Sequence, residues 1–392
     1  MVIWHILTGE YPPQPGGVSD YTRLLARELA QAGDEVHVWA SSCLEPTPTD
    51  EGVEVHRLSG DFGLRSLAAL NAQLKRFPAP HRILVQYVPQ AFGWKGMNLP
   101  FCLWLRLRRR DSVWVMFHEV YFPLRWKQSL SHNILGAVTR LMASLVTSAA
   151  KRKFVSLPAW MPLLESGGSK ESTVSWLPVP SSIAVIDDPA ATRAMRARYA
   201  PAADGYIIGH FGTYGRDIAE ALKSVLPLLL SKRTDCAVLL LGRGSEAVRE
   251  DLTGQYPDLK TRVHATGALP AEDISLTLSA CDVLIQPFVD GVSSRRTSLM
   301  AGLAHGLPIV TTTGFLTEPV WAESRAVALS PVGDLEGMRA AVDRLLEDAL
   351  ERARLGAAAS ALYQERFDVR HTVESLRDSP SCAAASQILL AE

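Results

Sequence analysis

Between Leu284 and Thr313 the chain reads LIQPFVDGVSSRRTSLMAGLAHGLPIVTTT, and few folds accommodate that order. A short apolar run ending at Pro287 reads as a buried strand. Val289 to Arg296 form a polar loop that holds Asp290, Gly291, Val292, Ser293, Ser294, Arg295 and Arg296. From Thr297 the apolar residues Leu299, Met300, Leu303 and Ala304 take helical spacing, and Gly306 is placed to close the helix. Ile309, Val310 and Thr311 then form a second buried strand. Strand, loop, helix and strand make one βαβ unit, and such units bind ligands at the carboxyl ends of their strands. The loop is therefore the first candidate for an active site.

The remainder of the chain supplies more units of the same kind. Strands are expected over 2–7, 35–40, 53–58, 83–87 and 113–117, with helices over 18–32, 64–76 and 128–149. The loop between the first strand and first helix, TGEYPPQPGG, ends in Gly16 and Gly17. There the free N–H groups of a helix start point outward, and the missing side chains let an anion approach. A bound phosphate and a tight turn needing glycine are both readings of this loop. The spacing is not GxGxxG and no acidic residue ends the second strand, so the dinucleotide fingerprint is absent. His118 follows the strand over 113–117, where a histidine is placed either for chemistry or to cap the next loop. Leu103 to Arg110, LWLRLRRR, reads first as a surface helix with a solvated basic face and second as a contact for an anionic membrane or acceptor.

A second series begins at residue 206. Its first strand, over 206–211, leads into Gly212-Thr213-Tyr214-Gly215-Arg216 and a helix over 217–230; the next, over 238–241, ends in Gly242-Arg243-Gly244. A further helix runs over 245–256, and another follows Pro270. The repeated rhythm implies an α/β chain of two doubly wound, Rossmann-like domains facing each other across a cleft. We place the first at 1–180, a proline-rich linker at 181–204, the second at 205–365, a terminal helix at 366–378 that returns to the first domain, and a poorly ordered tail at 379–392. A length of 392 residues agrees with two domains.

Composition narrows the function classes. A formal charge of −1 excludes whole-protein attraction to nucleic acid. Cys43, Cys102, Cys236, Cys281 and Cys382 are dispersed without a CxxC pair, which argues for reduced thiols in a cytoplasmic protein and against a zinc or disulfide framework. The start, MVIWHILTGEYPP, reads as a strand rather than a signal peptide, and no stretch has the roughly 18 apolar residues of a membrane span.

The motif order resembles the family 4 retaining glycosyltransferases of the GT-B fold along nearly the whole chain. The parts that carry the likeness are Gly16-Gly17, His118, the loop at Gly212, the turn Gly242-Arg243-Gly244 and the stretch from Pro287 to Thr311. The family hallmark is a pair of glutamates separated by seven residues, within P-x-x-E-G-F-G-L-x-x-L-E-A-M-A-x-G-x-P-V-V. Pro287, Gly291, Met300, Ala301, Gly306, Pro308, Ile309 and Val310 are matched to that pattern, which sets Asp290 at the first acid and Ser298 at the second.

The resemblance implies a donor that is a nucleotide-diphosphate sugar, an acceptor hydroxyl, retention at the anomeric carbon, and no cofactor or obligatory metal; no acidic DxD pair is placed for one. Asp290 would hold a donor-sugar hydroxyl, Ser298 would offer one hydroxyl to the ribose, and His118 would orient hydroxyls of the reacting sugar. The family's Arg and Lys for the diphosphate have no counterpart at the expected spacing, so Arg216, Arg295 or Arg296 would supply that charge. The arginine pair also reads as a solvated loop pair. The catalytic set implied is His118, Asp290 and Arg295; the donor-binding set is Gly16, Gly17, Gly212, Thr213, Arg216, Arg243, Leu269, Gly291, Val292, Ser293, Ser294, Arg296 and Ser298. Two other readings stay open: a non-catalytic relative that binds sugar nucleotides, and a sugar-nucleotide epimerase on the same fold.

Overall fold

The structure is a computed structural model that describes residues 1–165, 173–200, 202 and 204–378. They divide into two compact units, Met1–Pro178 together with the chain from Val369, and Val179–Asp368. The tail over 379–392, with Cys382, lies outside the described residues. Cys43, Cys102, Cys236 and Cys281 are free thiols. Among the described residues no helix is long and apolar enough to cross a membrane.

The first unit alternates strands and helices: β1 (Ile3–Thr8), α1 (Gly17–Gln31), β2 (Glu35–Ser41), β3 (Val53–Leu58), α2 (Leu64–Leu74), β4 (His81–Tyr87), α3 (Leu99–Leu107), β5 (Ser112–Phe117), α4 (Leu130–Ala149), β6 (Arg152–Val155), α5 (Met161–Glu165) and β7 (Thr173–Trp176). The seven strands are parallel in the order β3-β2-β1-β4-β5-β6-β7. Central strands covered on both faces read as continuous apolar runs, which is why β4 and β5 were legible as ILVQY and VWVMF. The basic segment differs from its expected form. The side chain of Asn98 caps α3 by accepting from the Phe101 N–H at 3.0 Å, and the helix closes at Leu107. Arg108 therefore lies beyond the helix, where it pairs with Asp111 at 2.5 Å and stacks on Trp104. Leu103 and Leu107 are the exposed residues on α3.

The second unit contains α6 (Pro189–Tyr199), β8 (Tyr206–Phe211), α7 (Arg216–Lys232), β9 (Cys236–Leu241), α8 (Ser245–Gln255), β10 (Val263–Ala265), α9 (Ala271–Ser279), β11 (Val283–Gln286), α10 (Thr297–Ala304), β12 (Ile309–Thr313), α11 (Val320–Glu323), β13 (Ala328–Pro331), α12 (Leu335–Glu347) and α13 (Ala349–Leu362). Its parallel sheet has the order β10-β9-β8-β11-β12-β13. The stretch expected as a linker is built into this unit. Asp188 caps α6 by accepting from the N–H groups of Ala190 and Ala191, and Arg196 pairs with Asp282 at 2.8 Å. Ile186 N–H donates to Ser275 Oγ, and Val179 N–H donates to the Ser294 carbonyl. Loss of hydrophobic periodicity there reflects a polar docking strip rather than a free connection.

After α13 and a wide turn over Tyr363–Phe367 comes α14 (Val369–Arg377), which packs on α1 in the first unit. Its last carbonyls are held by arginines, as the negative end of a helix favours. Arg82 donates to the Leu376 carbonyl at 2.8 Å while stacked between Trp4 and Trp114, and Arg152 donates to the Ser375 carbonyl at 3.2 Å. Asp34, whose side chain is fully buried, accepts from Val2 N–H, Trp4 Nε1 and the Arg377 guanidinium, so one carboxylate ties the first strand to the last helix. Replacing it strands a buried indole N–H and loosens α14. We expect Asp34→Ala to lower unfolding free energy by about 1–3 kcal/mol. Denaturant titration checks this, and an unchanged midpoint would contradict the anchoring role.

Candidate active site

Numbered within each unit, the first six strands run 3-2-1-4-5-6, which reverses direction between the first and fourth strands. In the second unit that reversal lies between β8 and β11. Val283 and Ile285 of β11 face the core shared with α7, whereas Leu284 faces Gly302 of α10. Helices leaving neighbouring strands on opposite faces open a crevice at the strands' carboxyl ends, the usual ligand position in such sheets.

Glycine lets the backbones meet there. A Cβ on Gly242 would lie 2.3 Å from the Gly212 carbonyl oxygen, and Gly242 has φ +112. The Gly212 N–H donates to Leu241, and the Gly242 N–H to Gly267. Ser298, on the first turn of α10, has its Oγ 3.5 Å from the position a Cβ on Gly212 would take. Beside them is a residue that sequence reasoning missed, His210 on β8. Its Nδ1–H donates to the Ile285 carbonyl at 2.8 Å, leaving Nε2 as a buried lone pair with no partner among the described residues. Burial lowers its pKa to about 4, so the ring is neutral near pH 7. The signal was available, since His210 ends the same kind of strand that His118 follows. Thr213, Arg216 and Arg243 are exposed around this point, with Leu269 half-buried in the loop before α9.

The loop after β11 holds an ionic knot. Asp290 accepts from Arg295 Nη2 at 2.6 Å on one oxygen and from Arg296 Nη2 on the other. Arg296 also lies over the Phe288 ring at 4.6 Å, and burial, with repulsion from Arg295, lowers its pKa. The pair is thus ion-paired and only 23% and 25% exposed, and Asp290 spends one acceptor site on each oxygen. One carboxylate between two guanidinium groups leaves a net positive charge, with further N–H donors for an anion.

Other members of the expected donor set serve the loop itself. Ser294 donates through both N–H and Oγ to Glu318, whose second oxygen accepts from Trp321 Nε1 at 2.6 Å. Glu318, also missed, is a buried carboxylate that fastens the loop to α11. Val292 is fully buried and its N–H donates to Thr312. Gly291, at φ +90, is pressed against Gly314 and Thr317, where a Cβ would be 2.3 Å from Thr317 Oγ1. These positions shape the loop and present no free polar side chain.

The structure also corrects the match to the paired acids. Gly306 has φ +62 and its N–H bonds Leu303, so it is the glycine that stops α10 before Pro308. In the family pattern the second acid precedes that glycine by five positions. Counting back from Gly306 puts Ala301 at the second acid and Ser293 at the first, in place of Ser298 and Asp290. Met300 and Gly306 cannot both be matched in one register. Ala301 is fully buried, and Ser293 Oγ is buried without a partner among the described residues.

In the first unit, Gly16 caps α1 but the anion position is filled from within. Glu10 Oε1 accepts from the Ser19 N–H at 3.1 Å, and a Cβ on Gly16 would be 2.3 Å from that oxygen. Burial raises the Glu10 pKa against the opposing pull of those amide bonds. The glycine accordingly makes room for the protein's own carboxylate, and Gly17 beside it is exposed. His118 is nearly buried, with Nε2–H donating to Gln86 Oε1 at 2.8 Å and Tyr21 edge-on at 5.0 Å. Burial lowers its pKa to about 3, so it is neutral at pH 7 and its Nδ1 carries a lone pair.

Residues 205–348 match the family model described as Glycosyl transferases group 1. The chain is 25% identical over 366 residues to a phosphatidyl-myo-inositol mannosyltransferase of Mycolicibacterium smegmatis, covering 88% of this chain and 85% of that one. Its fold is similar to sucrose-phosphate synthase from Thermosynechococcus elongatus, with a TM-score of 0.70, 16% identity and 100% of both chains covered. It is similar too to Anabaena HepE in complex with UDP and glucose, with a TM-score of 0.67, 14% identity and 100% of both chains covered.

Two of the buried histidines, His118 and His210, contribute a pH dependence. Their folded pKa values, about 3 for His118 and about 4 for His210, lie below the unfolded value near 6.5. The unfolded chain therefore binds protons first, and stability is full above about pH 6.5 and falls as pH drops toward the folded values. From pH 7 to pH 5 each histidine should cost about 2 kcal/mol. Denaturation of His210→Asn at both pH values should show a loss smaller by that amount; an identical loss in the variant would contradict the assignment.

Proposed function

We propose, taking as premise that this chain is a GT-B glycosyltransferase with a group 1 domain over 205–348, that it moves a sugar from a nucleotide-diphosphate sugar to a hydroxyl acceptor with retained anomeric configuration. The observation that carries this reading is the arginine pair in a strand-end loop of that domain, next to the reversal in strand order. Support comes also from HepE, whose complex contains UDP and glucose on a similar fold.

Cleaving a sugar–phosphate bond builds negative charge on the departing diphosphate and positive charge at the anomeric carbon. Groups already aimed at the diphosphate oxygens lower that barrier most, because they need not reorganise during the reaction. Arg295 and Arg296 are held in place by Asp290 before any donor arrives, and a guanidinium fork is shaped to meet phosphate oxygens. The amides at the start of α7, with Arg216 and Thr213, add a second anion-binding element. Asp290 then acts by positioning the arginines, and by accepting a sugar hydroxyl on its remaining lone pairs. Ser298 and the Nε2 of His210 are hydrogen-bonding groups for the nucleoside side. On the first unit, His118 is too weak a base to take a proton at neutral pH; its lone pair orients a hydroxyl. This reading assigns charge stabilisation to guanidinium groups and calls on no cofactor.

The exposed Leu103 and Leu107, followed by Arg108, Arg109 and Arg110, fit a peripheral contact with anionic lipid. The mycobacterial relative is named for a lipid substrate, which favours an acceptor presented at a membrane surface. Replacement of both acid positions by Ser293 and Ala301 favours a second reading, a relative that binds sugar nucleotides without turning them over.

A panel of nucleotide sugars, with soluble and vesicle-presented hydroxyl acceptors and products identified by mass spectrometry, tests these readings. We expect turnover of one donor, enhanced by anionic vesicles, and at least a hundredfold loss of rate in Asp290→Ala and Arg295→Ala. Thermal stabilisation without turnover would select the binding reading, and normal rates in both variants would overturn the assigned site.

A further inference from the structure

Away from the strand-end loops, toward the amino ends of β2 and β3, three side chains converge without a role in the chemistry above. His37 of β2 pairs in register with Glu54 of β3, and His56 follows two residues later on the same face of that edge strand. His37 Nδ1 lies 3.2 Å from His56 Nε2 and 3.2 Å from Glu54 Oε2, and His56 Nε2 lies 3.6 Å from Glu54 Oε1. Three ligand atoms on a tetrahedral ion with bonds of about 2.0–2.1 Å are separated by about 3.3–3.4 Å. Taken to the nearer carboxylate oxygen in each case, the separations are close to the edge of a zinc tetrahedron.

The other ring nitrogen makes the case independent of spacing. His37 Nε2 is 2.9 Å from Glu35 Oε1, as donor to a carboxylate acceptor. That bond sets the neutral tautomer with its proton on Nε2 and leaves Nδ1 as an acceptor that faces both a carboxylate oxygen and His56 Nε2. Two acceptors in contact repel unless something positive lies between them. A carboxylate that orients a metal-binding histidine through its far nitrogen is the usual outer partner at zinc sites. His5, next along the sheet, is not a fourth ligand, since its Nδ1 already accepts from Trp39 Nε1 at 3.2 Å.

We propose that His37, Glu54 and His56 bind one divalent transition ion, with Zn²⁺ the best fit to two imidazoles and one carboxylate, and that water takes the fourth position. The ion clips the edge strand β3 to β2 and so fixes their register. The competing occupant is a proton, carried either on His56 Nε2 as donor to His37 Nδ1 or on His37 itself between Glu35 and Glu54.

The test is calorimetric titration of the chelator-treated full chain with ZnCl₂, alongside the Tm with and without the ion. The proposal expects one Zn²⁺ per chain, a higher Tm on loading, at least a hundredfold weaker binding in His56→Gln, and at least tenfold in Glu54→Gln and Glu35→Gln. Glu54 is well exposed, so its substitution leaves the fold intact, and circular dichroism verifies that for all three variants. No saturable binding in the native chain, or affinity unchanged in both His56→Gln and Glu54→Gln, would overturn it and leave the proton as the occupant.

Discussion

Parallel pairing is the constraint on which the rest depends. Two parallel neighbours cannot be joined by a tight turn, so the chain must cross back over the sheet, usually as a helix, before each new strand. Every strand then ends on the same edge, and the polar loops gather there without any attraction for one another. In the second unit this brings Gly212, Gly242, Asp290 and Gly314 to one edge from positions spread across a hundred residues of sequence. Reversal of strand order between β8 and β11 then separates the helices that would otherwise cover the spot. The chemistry sits where backbone geometry left an opening.

Much of this was legible because it rests on local patterns. The buried strands announced themselves as apolar runs such as CAVLLL, and glycines marked the turns at Gly212, Gly242 and Gly306. The two-sheet α/β architecture and the glycosyltransferase resemblance followed from those patterns, and the observed sheets and the comparisons agree with both. What the pattern could not carry was the partner of each polar group. Glu10 fills the start of α1 where a phosphate was one of two readings, Glu318 takes both donors of Ser294, and Asp290 is shared by two arginines. These pairings join residues from different loops, and their spacing in sequence has no period to read. The polar strip over 181–204 misled for a related reason: α6 docks through Arg196, which pairs with Asp282 and donates to the Ala280 and Gly205 carbonyls, rather than through an apolar stripe.

The mismatch of the acids has a consistent physical outcome. Set against the family pattern, Ser293 of the loop and Ala301 of α10 stand where two carboxylates would be, with the cations Arg295 and Arg296 between them. The single remaining acid, Asp290, is enough to keep the guanidinium groups from repelling each other and to hold them in one arrangement. A loop of this charge suits a diphosphate better than it suits a neutral sugar. On the proposed reading, substrate recognition leans on the phosphate end of the donor, with hydroxyl contacts in the second unit made by neutral groups such as Ser298 and His210.

That claim is tested most directly by calorimetric affinity for free nucleoside diphosphates, where no acceptor or turnover is needed. The account predicts that the native chain binds one of them at a single site, that Arg296→Ala weakens binding at least tenfold, and that raising salt weakens the native chain more than the variant. Equal affinity and equal salt dependence in both proteins would contradict it.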